Sequence, residues 1–243
     1  MVTEQLKELW QLAFGDGEDF IDLFFRTAYS PERCLYLTEA EQITAALYWL
    51  DCEFRGQKQA YVYAVATHPD HRGKGLCRKL MAQAHEILKV QGYTAALLRP
   101  ASDSLRRMYR KMGYRVCTGV SEFDSTAGVP VPIRRIGAAE YAQLRRTLLP
   151  EDGVVQEGVS LSYLEAYAAL YAGADFLLAG TPDHGSFHGM ELLGSREAAP
   201  GILAALGYPD GSFRSPGREV PFGMFLPLAE DAEEPGYLGL VFD

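Results

Sequence analysis

The spacing of hydrophobic and polar positions changes repeatedly along these 243 residues, and each change marks an element. Between Glu4 and Phe14 apolar residues return at helical intervals, with Leu6, Leu9, Trp10 and Ala13 on one face. A second helical face, Phe20, Ile21, Phe24 and Phe25, runs from Glu18 to Tyr29, and Gly15-Asp-Gly17 separates the two. The pattern then shortens to strands, about Arg33 to Leu37 and Ile43 to Cys52. An apolar run from Tyr61 to Ala66 reads as a further strand. It ends at a turn, after which Leu76, Leu80, Met81, Ala84, Ile87 and Leu88 fall on one face of a helix. Tyr93 to Leu98 reads as a buried strand closed by Pro100. Ser102 or Asp103 caps a short helix from Ser104 to Met112, which Gly113 stops, and Tyr114 to Cys117 returns to strand spacing.

The second half is less sharply patterned. Ser125 to Pro132, with Gly128, Pro130 and Pro132, reads as a linker. Helices are expected at about Ala138 to Leu149 and Ser160 to Tyr171, and strands at Asp175 to Ala179 and Phe187 to Leu193, turned by Thr181-Pro-Asp-His-Gly185. A short helix near Pro200 to Leu206 and one strand near Val220 to Leu226 complete the reading. Tyr163, Tyr167 and Tyr171 make a stripe at helical spacing, read as a half-buried packing face in preference to an acceptor groove. His184 and His188 beside Asp183 are ligand types, but their spacing suits a helix and they fall on a hairpin, so turn and edge roles are favoured over a metal.

The chemistry concentrates at Asp70-His-Arg-Gly-Lys-Gly75, where a strand feeds a glycine turn that opens a helix. Such a turn leaves backbone N–H groups without intrahelical partners at the positive end of the helix dipole, a site for a phosphate or diphosphate. Glycine at 73 and 75 removes side chains that would block close approach. A Walker A loop is excluded, because Leu76 and Cys77 follow Gly75 where Lys and Ser/Thr are needed. A Rossmann fingerprint lacks its third glycine and its ribose-binding acid. On its own the turn also fits a purely geometric role, and the elements downstream of it settle the choice.

The order strand, Arg-Gly-Lys-Gly turn, long helix, strand, short helix, Gly-aromatic, strand resembles the GNAT superfamily of acyl-CoA N-acyltransferases over residues 3–118. The family's Gln/Arg-x-x-Gly-x-Gly/Ala signature corresponds to Asp70–Gly75, with Asp70 in place of Gln/Arg. Its Tyr-x-x-x-Gly-Phe corresponds to Tyr109-Arg-Lys-Met-Gly-Tyr114, and Ser102 stands where Asn is common. The resemblance implies a mixed α/β (α+β) fold, a mainly antiparallel sheet flanked by helices. It divides the chain into an acetyltransferase domain, residues 1–124, and a degenerate GNAT-like lobe, residues 125–243, as in two-lobed members such as the mycobacterial enhanced intracellular survival acetyltransferase. The second lobe lacks an Arg-Gly-x-Gly loop and is expected to continue or pack on the first sheet without binding a second CoA.

The resemblance further implies acetyl-CoA as acyl donor, with no metal. Backbone groups of Val65, Ala66 and Thr67 would pair with the pantetheine arm. N–H groups across Arg72, Gly73, Lys74, Gly75, Leu76, Cys77 and Arg78 would hold the diphosphate, with Ser104 also among the cofactor contacts. Tyr109 would protonate the departing thiolate, for which a phenol of pKa near 10 is suited. The general base stays open among Asp51, Glu53, the terminal carboxylate of Asp243 and water. The expected reaction is acetyl transfer to a primary amine, small-molecule or peptide, by direct attack in a ternary complex. The alternative is a non-catalytic CoA-binding sensor or protein-interaction module.

Composition narrows the setting. With 48% hydrophobic residues the chain can bury one large core or two smaller ones. No apolar run reaches the roughly 18 residues of a membrane span, and no basic segment precedes an apolar stretch at the N-terminus, so a cytoplasmic protein is expected. Cys34, Cys52, Cys77 and Cys117 lie far apart and suit reduced thiols. A net charge of −9 without a basic-aromatic surface argues against nucleic acid. Residues 1–117 carry 16 Lys+Arg against 14 Asp+Glu, and residues 118–243 carry 7 against 18. An acidic second lobe would draw a cationic amine; equally, it is a solubilising surface with Glu230–Glu234 as a solvated loop. Either a monomer or a homo-oligomer fits.

Overall fold

A computed structural model describes residues 2–242. The chain folds into two compact units. One is the chain up to Arg115 together with the returning segment Met224–Glu234; the other is Val116–Gly223 together with the tail from Pro235. The expected boundary at 124/125 therefore falls inside a strand of the second unit.

The first unit opens with α1 (Val2–Phe14) and α2 (Glu18–Thr27), followed by β1 (Cys34–Glu39), β2 (Gln42–Phe54) and β3 (Gln57–Thr67). Then come α3 (Leu76–Val90), β4 (Ala95–Leu98), α4 (Asp103–Arg110) and β5 (Arg115–Val116). The amphipathic faces read from the sequence are the buried ones: Leu6, Leu9 and Trp10 on α1, Ile21 and Phe24 on α2, and Leu80, Met81, Ala84 and Leu88 on α3. Trp10 anchors both first helices. Its ring lies 4.9 Å from Phe24 and 5.5 Å from Tyr48, and its Nε1–H donates to Asp16 at 2.7 Å, fixing the loop between α1 and α2. β2 is buried along almost its whole length, as expected of a strand covered on both faces.

The second unit contains β6 (Gly119–Thr126), β7 (Arg134–Ile136), α5 (Ala138–Leu148), α6 (Val159–Tyr167), β8 (Ala169–Ala172), β9 (Phe176–Asp183) and β10 (Ser186–Gly194). It continues with α7 (Ala199–Leu206), β11 (Asp210–Pro216) and β12 (Val220–Pro221), after which β13 (Met224–Pro227) returns to the first unit. Among the described residues the first sheet has six strands in the order β1-β2-β3-β4-β13-β5, and the second has seven in the order β12-β6-β11-β10-β9-β8-β7. Both follow one plan. Two helices precede an antiparallel series, and one helix then crosses over to a parallel neighbour: β3–α3–β4 in the first unit, β10–α7–β11 in the second. The second unit thus forms its own sheet and does not continue the first. Its core packs Ile202 and Leu203 of α7 against Phe187, Leu192 and Phe213.

The two units exchange strands along the chain. β6 follows β5 in sequence yet pairs with β11, Phe123 opposite Phe213, while β13 from beyond the second unit pairs with β4, Phe225 opposite Leu97. The single strand expected at Val220 to Leu226 is accordingly two, broken around Gly223 and assigned to different sheets. The helix expected to reach Tyr171 stops at Tyr167, because Leu170 pairs with Ala179 in the sheet. Tyr163 and Tyr167 therefore share α6, and Tyr171 lies on β8. Thr181 to Asp183 extends β9, so the hairpin turns only at His184 and Gly185. The acidic segment after β13 is tied down: Gln57 and Gln59 donate to the Asp231 and Glu233 carbonyls at 2.8 and 2.9 Å, and Arg55 pairs with Glu233 at 2.9 Å. Counted by unit, the first carries 16 Lys+Arg against 18 Asp+Glu and the second 7 against 14.

At the centre of the second unit, Glu191 is fully buried and its carboxylate accepts four bonds. Arg145 donates from Nε at 2.8 Å and Nη2 at 2.9 Å, Tyr141 at 2.7 Å and Tyr237 at 3.1 Å. The tail from Tyr237 to Phe242 is buried beside this network, its Leu240 carbonyl held by Gln156 at 2.6 Å.

Glu191→Ala leaves a buried guanidinium without its counter-charge and is expected to lower stability by about 3–5 kcal/mol. The pair Arg145→Met with Glu191→Leu costs far less. Urea titrations followed by circular dichroism check both. A chain ending at Cys117 lacks β13 and is expected to lose cooperative thermal unfolding; fusing Met224–Glu234 back onto it restores the transition.

Candidate active site

The site begins where β3 and β4 part. They pair in parallel only through Gln59↔Ala95, Ala60↔Ala96 and Tyr61↔Leu97. Farther along β3, the ladder to β2 shifts register between Ala46 and Tyr48, and Ala64 takes a φ of 47°. This is a β-bulge, which bends the strand and increases its twist. A non-glycine residue there stores strain on the order of 1–3 kcal/mol. Beyond it, Val65 to Thr67 have no ladder to β4.

A groove of about 640 Å³ opens at this divergence. Val65 and Thr67 line it from β3, then Arg72, Gly73 and Gly75 from the turn, and Leu76, Cys77 and Arg78 from the first turn of α3. Leu105, Met108, Tyr109 and Met112 line it from α4 and its end, and Ala13 and Phe14 from α1. Three residues singled out from the sequence do not line it. Ala66 is buried on the other side of the pleat, Lys74 is exposed, and the exposed Ser104 hydroxyl lies 2.9 Å from that of Ser102. Ser102, not Asp103, is the helix cap, its Oγ accepting from the Leu105 N–H at 3.3 Å. Sequence reasoning also missed Phe14 and His71 as wall residues and the bulge itself. No glycine or proline announces that bulge, whereas Leu105, Met108, Tyr109 and Met112 fall at helical spacing that was readable.

The turn end of the groove is an open stretch of backbone. Gly73 and Gly75 hold φ of 78° and 79°, and a Cβ at either would meet nothing within 4 Å, so the backbone faces open space. Gly75 is the N-cap of α3 and supplies no side-chain cap, and the first turn holds no acidic residue. The N–H groups from Gly73 through Arg78 have no acceptor among the described residues. Arg72, Lys74 and Arg78 have no carboxylate partner there either. His71 pairs with Glu39 at 3.0 Å. Unsatisfied donors, the helix dipole and cations without counter-charges together favour a multiply charged anion.

At the other wall stands Tyr109, 6% exposed, whose hydroxyl has no hydrogen-bond partner among the described residues. Burial, with a smaller contribution from Cys77, holds its phenol well above the usual value, so it is protonated at neutral pH. Burial likewise raises the Cys77 thiol. The Tyr109 ring stands edge-on to Tyr114 at 5.8 Å, and the Tyr114 hydroxyl meets His85 Nε2 at 2.9 Å. Burial and the Lys89 charge bring His85 down to about 4, leaving a neutral imidazole.

Two of the carboxylates considered as general base, Asp51 and Glu53, do not line this groove. Asp51 and Glu53 sit opposite Ala60 and Lys58 on the fully paired part of β3. Ala60 is five residues from Val65, about 16 Å at the strand rise. Asp51 is also committed: Arg33 Nη2 lies 2.6 Å away and the Tyr93 hydroxyl bonds its other oxygen. Burial pushes the Asp51 carboxyl up, but those bonds outweigh it and leave the group below its ordinary value. Asp243 lies outside the described residues. Of the two histidines weighed as metal ligands, His184 is fully exposed at a hairpin tip and His188 bonds Ser212 at 2.9 Å.

The second unit has the corresponding divergence, and its cavity of about 710 Å³ lies instead where β10 and β11 begin, lined by Ser186 and Asp210 among others. β10 pairs with β11 only from Phe187 to Gly189, and its register to β9 shifts between Gly189 and Glu191. Glu191, its Arg145 and tyrosine partners, and the buried tail take the space there.

The first unit is thus a sheet parted by a bulge over an amide-lined groove. Residues 2–117 match the family profile of the acetyltransferase (GNAT) domain. No curated protein sequence matches the chain. Among solved structures, a GCN5-related N-acetyltransferase from Kribbella flavida aligns with a TM-score of 0.67 and 18% identity, over 91% of this chain and 67% of that one. One from Anabaena variabilis aligns at 0.71 and 14%, over 93% and 70%. Eis1 from Mycobacterium abscessus aligns at 0.66 and 13%, over 93% and 71%. The profile match covers 116 of the 243 residues, and the solved N-acetyltransferase structures share the fold of this chain.

The unfolded histidine binds a proton near pH 6.5, whereas His85 in the fold does so only near 4. Between these values the unfolded state holds the extra proton, so stability falls as pH drops through this window and is full above it. His85→Gln is expected to flatten that slope, measured as the denaturant midpoint against pH.

Proposed function

We propose that the first domain transfers an acetyl group from acetyl-CoA to a primary amine by direct attack in a ternary complex. One observation carries the reading: Gly73 and Gly75 through Arg78, whose amides are unpaired, and Tyr109, whose protonated hydroxyl is unpaired, line the same groove. The amides receive the diphosphate, with Arg72 and Arg78 adding charge. Val65 and Thr67, freed from β4, offer backbone hydrogen bonds to the pantetheine arm as an added half-strand. Tyr109 donates its proton to the departing thiolate, and its neutral form suits that role. Among the described residues no Asp or Glu lines the groove, and in this reading the proton of the incoming ammonium leaves through water. Much of the rate gain is then positioning, together with polarisation of the thioester carbonyl by backbone N–H.

The second unit takes no CoA in this reading. Its divergence is filled, and its excess of acidic residues attracts a cationic acceptor at long range. A cytoplasmic setting supplies acetyl-CoA and keeps the four cysteines, none of them in a disulfide, reduced. No helix of the described residues is long and apolar enough to cross a membrane.

Thiol release from acetyl-CoA, measured with spermidine, phenethylamine, kanamycin and a lysine-containing peptide, tests the activity; release above the amine-free rate is expected with at least one. Tyr109→Phe is expected to lower kcat about 100-fold, within the range of lost general-acid catalysis, with unchanged affinity for acetyl-CoA. Gly73→Glu places a carboxylate in the cradle and is expected to weaken calorimetric binding of acetyl-CoA by about 100-fold or more while the protein still melts cooperatively. Binding without thiol release from any acceptor would instead favour a CoA-sensing module.

A further inference from the structure

We infer that His85 and Tyr114 are positioning residues for Tyr109: the hydrogen bond between them locks the buried ring that aims the phenol into the groove. The inference rests on Tyr109 as the proton donor proposed above. Tyr109 sits near the end of an eight-residue helix, too short to hold its own geometry without tertiary packing. Its hydroxyl has no partner among the described residues, so nothing polar fixes the direction of the side chain. What remains is ring packing. Tyr114 meets Tyr109 edge to face at 5.8 Å and 66°, and the Tyr114 N–H donates to the Tyr109 carbonyl at 3.2 Å. Tyr114 is itself 2% exposed, and His85 Nε2, 2.9 Å away, is its hydroxyl's partner.

His85 belongs to α3, whose first turn carries the free amides of the cradle. From Leu76 to His85 is nine residues, about 13 Å of helix. One rigid element therefore fixes both the anion site and, through Tyr114, the phenol. Their separation is set by a helix and not by loops, which is what a transfer sensitive to displacements of about 1 Å requires.

The test compares His85→Leu, His85→Gln, Tyr114→Phe and Tyr109→Phe. It uses kcat with the most active amine of the panel, calorimetric affinity for acetyl-CoA, and crystal structures of the ligand-free variants. His85→Leu and Tyr114→Phe are expected to lower kcat about tenfold, with affinity unchanged within about twofold. In their crystals the Tyr109 hydroxyl moves by about 1 Å or more, or occupies a second rotamer. Gln at position 85 keeps a polar partner for Tyr114 and restores most of kcat. The double variant His85→Leu with Tyr114→Phe is no slower than either single one, because both remove the same bond. An unmoved Tyr109 in both folded variants, or losses of affinity matching the losses of kcat, overturns the inference. A full-rate Tyr109→Phe overturns the donor role alone, since the crystal positions of Tyr109 still report on the brace.

Discussion

The first unit depends on β3 leaving β4 after three paired residues. Had the parallel ladder continued, Val65 to Thr67 would spend their hydrogen bonds on β4 and the turn would close against the sheet. The bulge at Ala64 prevents this by bending the strand at a strained φ. Free backbone, open turn and uncapped α3 all arise from that one divergence. The strain is tolerated because β3 is buried from Gln59 to Val62 and paired with the almost fully buried β2, which fixes its register.

The second unit shows what the same plan does when the divergence is filled. Glu191 there is a buried charge that four donors satisfy, and the tail's Tyr237 is one of them. Desolvating a carboxylate and a guanidinium is costly, and such a pair is held only while its geometry is complete. A groove would let water in and weaken it. Binding cradle and buried ion pair are thus opposite uses of one backbone geometry, and the chain carries one of each.

In the first groove the chemistry is unusually free of ionisable partners. Its phenol is neutral, its thiol is protonated, and its neighbouring imidazole is uncharged, all because burial disfavours the charged form. The fixed charges lie at the turn, where backbone dipoles and arginines face the groove mouth. Under the proposed transfer, catalysis comes from alignment more than from a strong base, which gives weight to whatever fixes Tyr109.

The local pattern of the first half was legible because it is written in near neighbours. Helical faces, the Gly73 and Gly75 turn, the cap at Ser102 and the placement of Tyr109 at helical spacing each involve residues within a few positions of one another. Sequence alone therefore determined which segment presents free amides and which helix carries the phenol. Tertiary structure decided which partner each strand takes: β6 and β13 join sheets that their neighbours in the chain do not, and Tyr171 leaves the helix for a ladder with β9. It also removed Asp51 by giving it to Arg33 and Tyr93, and it set the bulge at Ala64, which no residue type announces. Pairing partners and buried counter-charges are chosen by contacts far apart in sequence, and their energies appear only once both sides are in place.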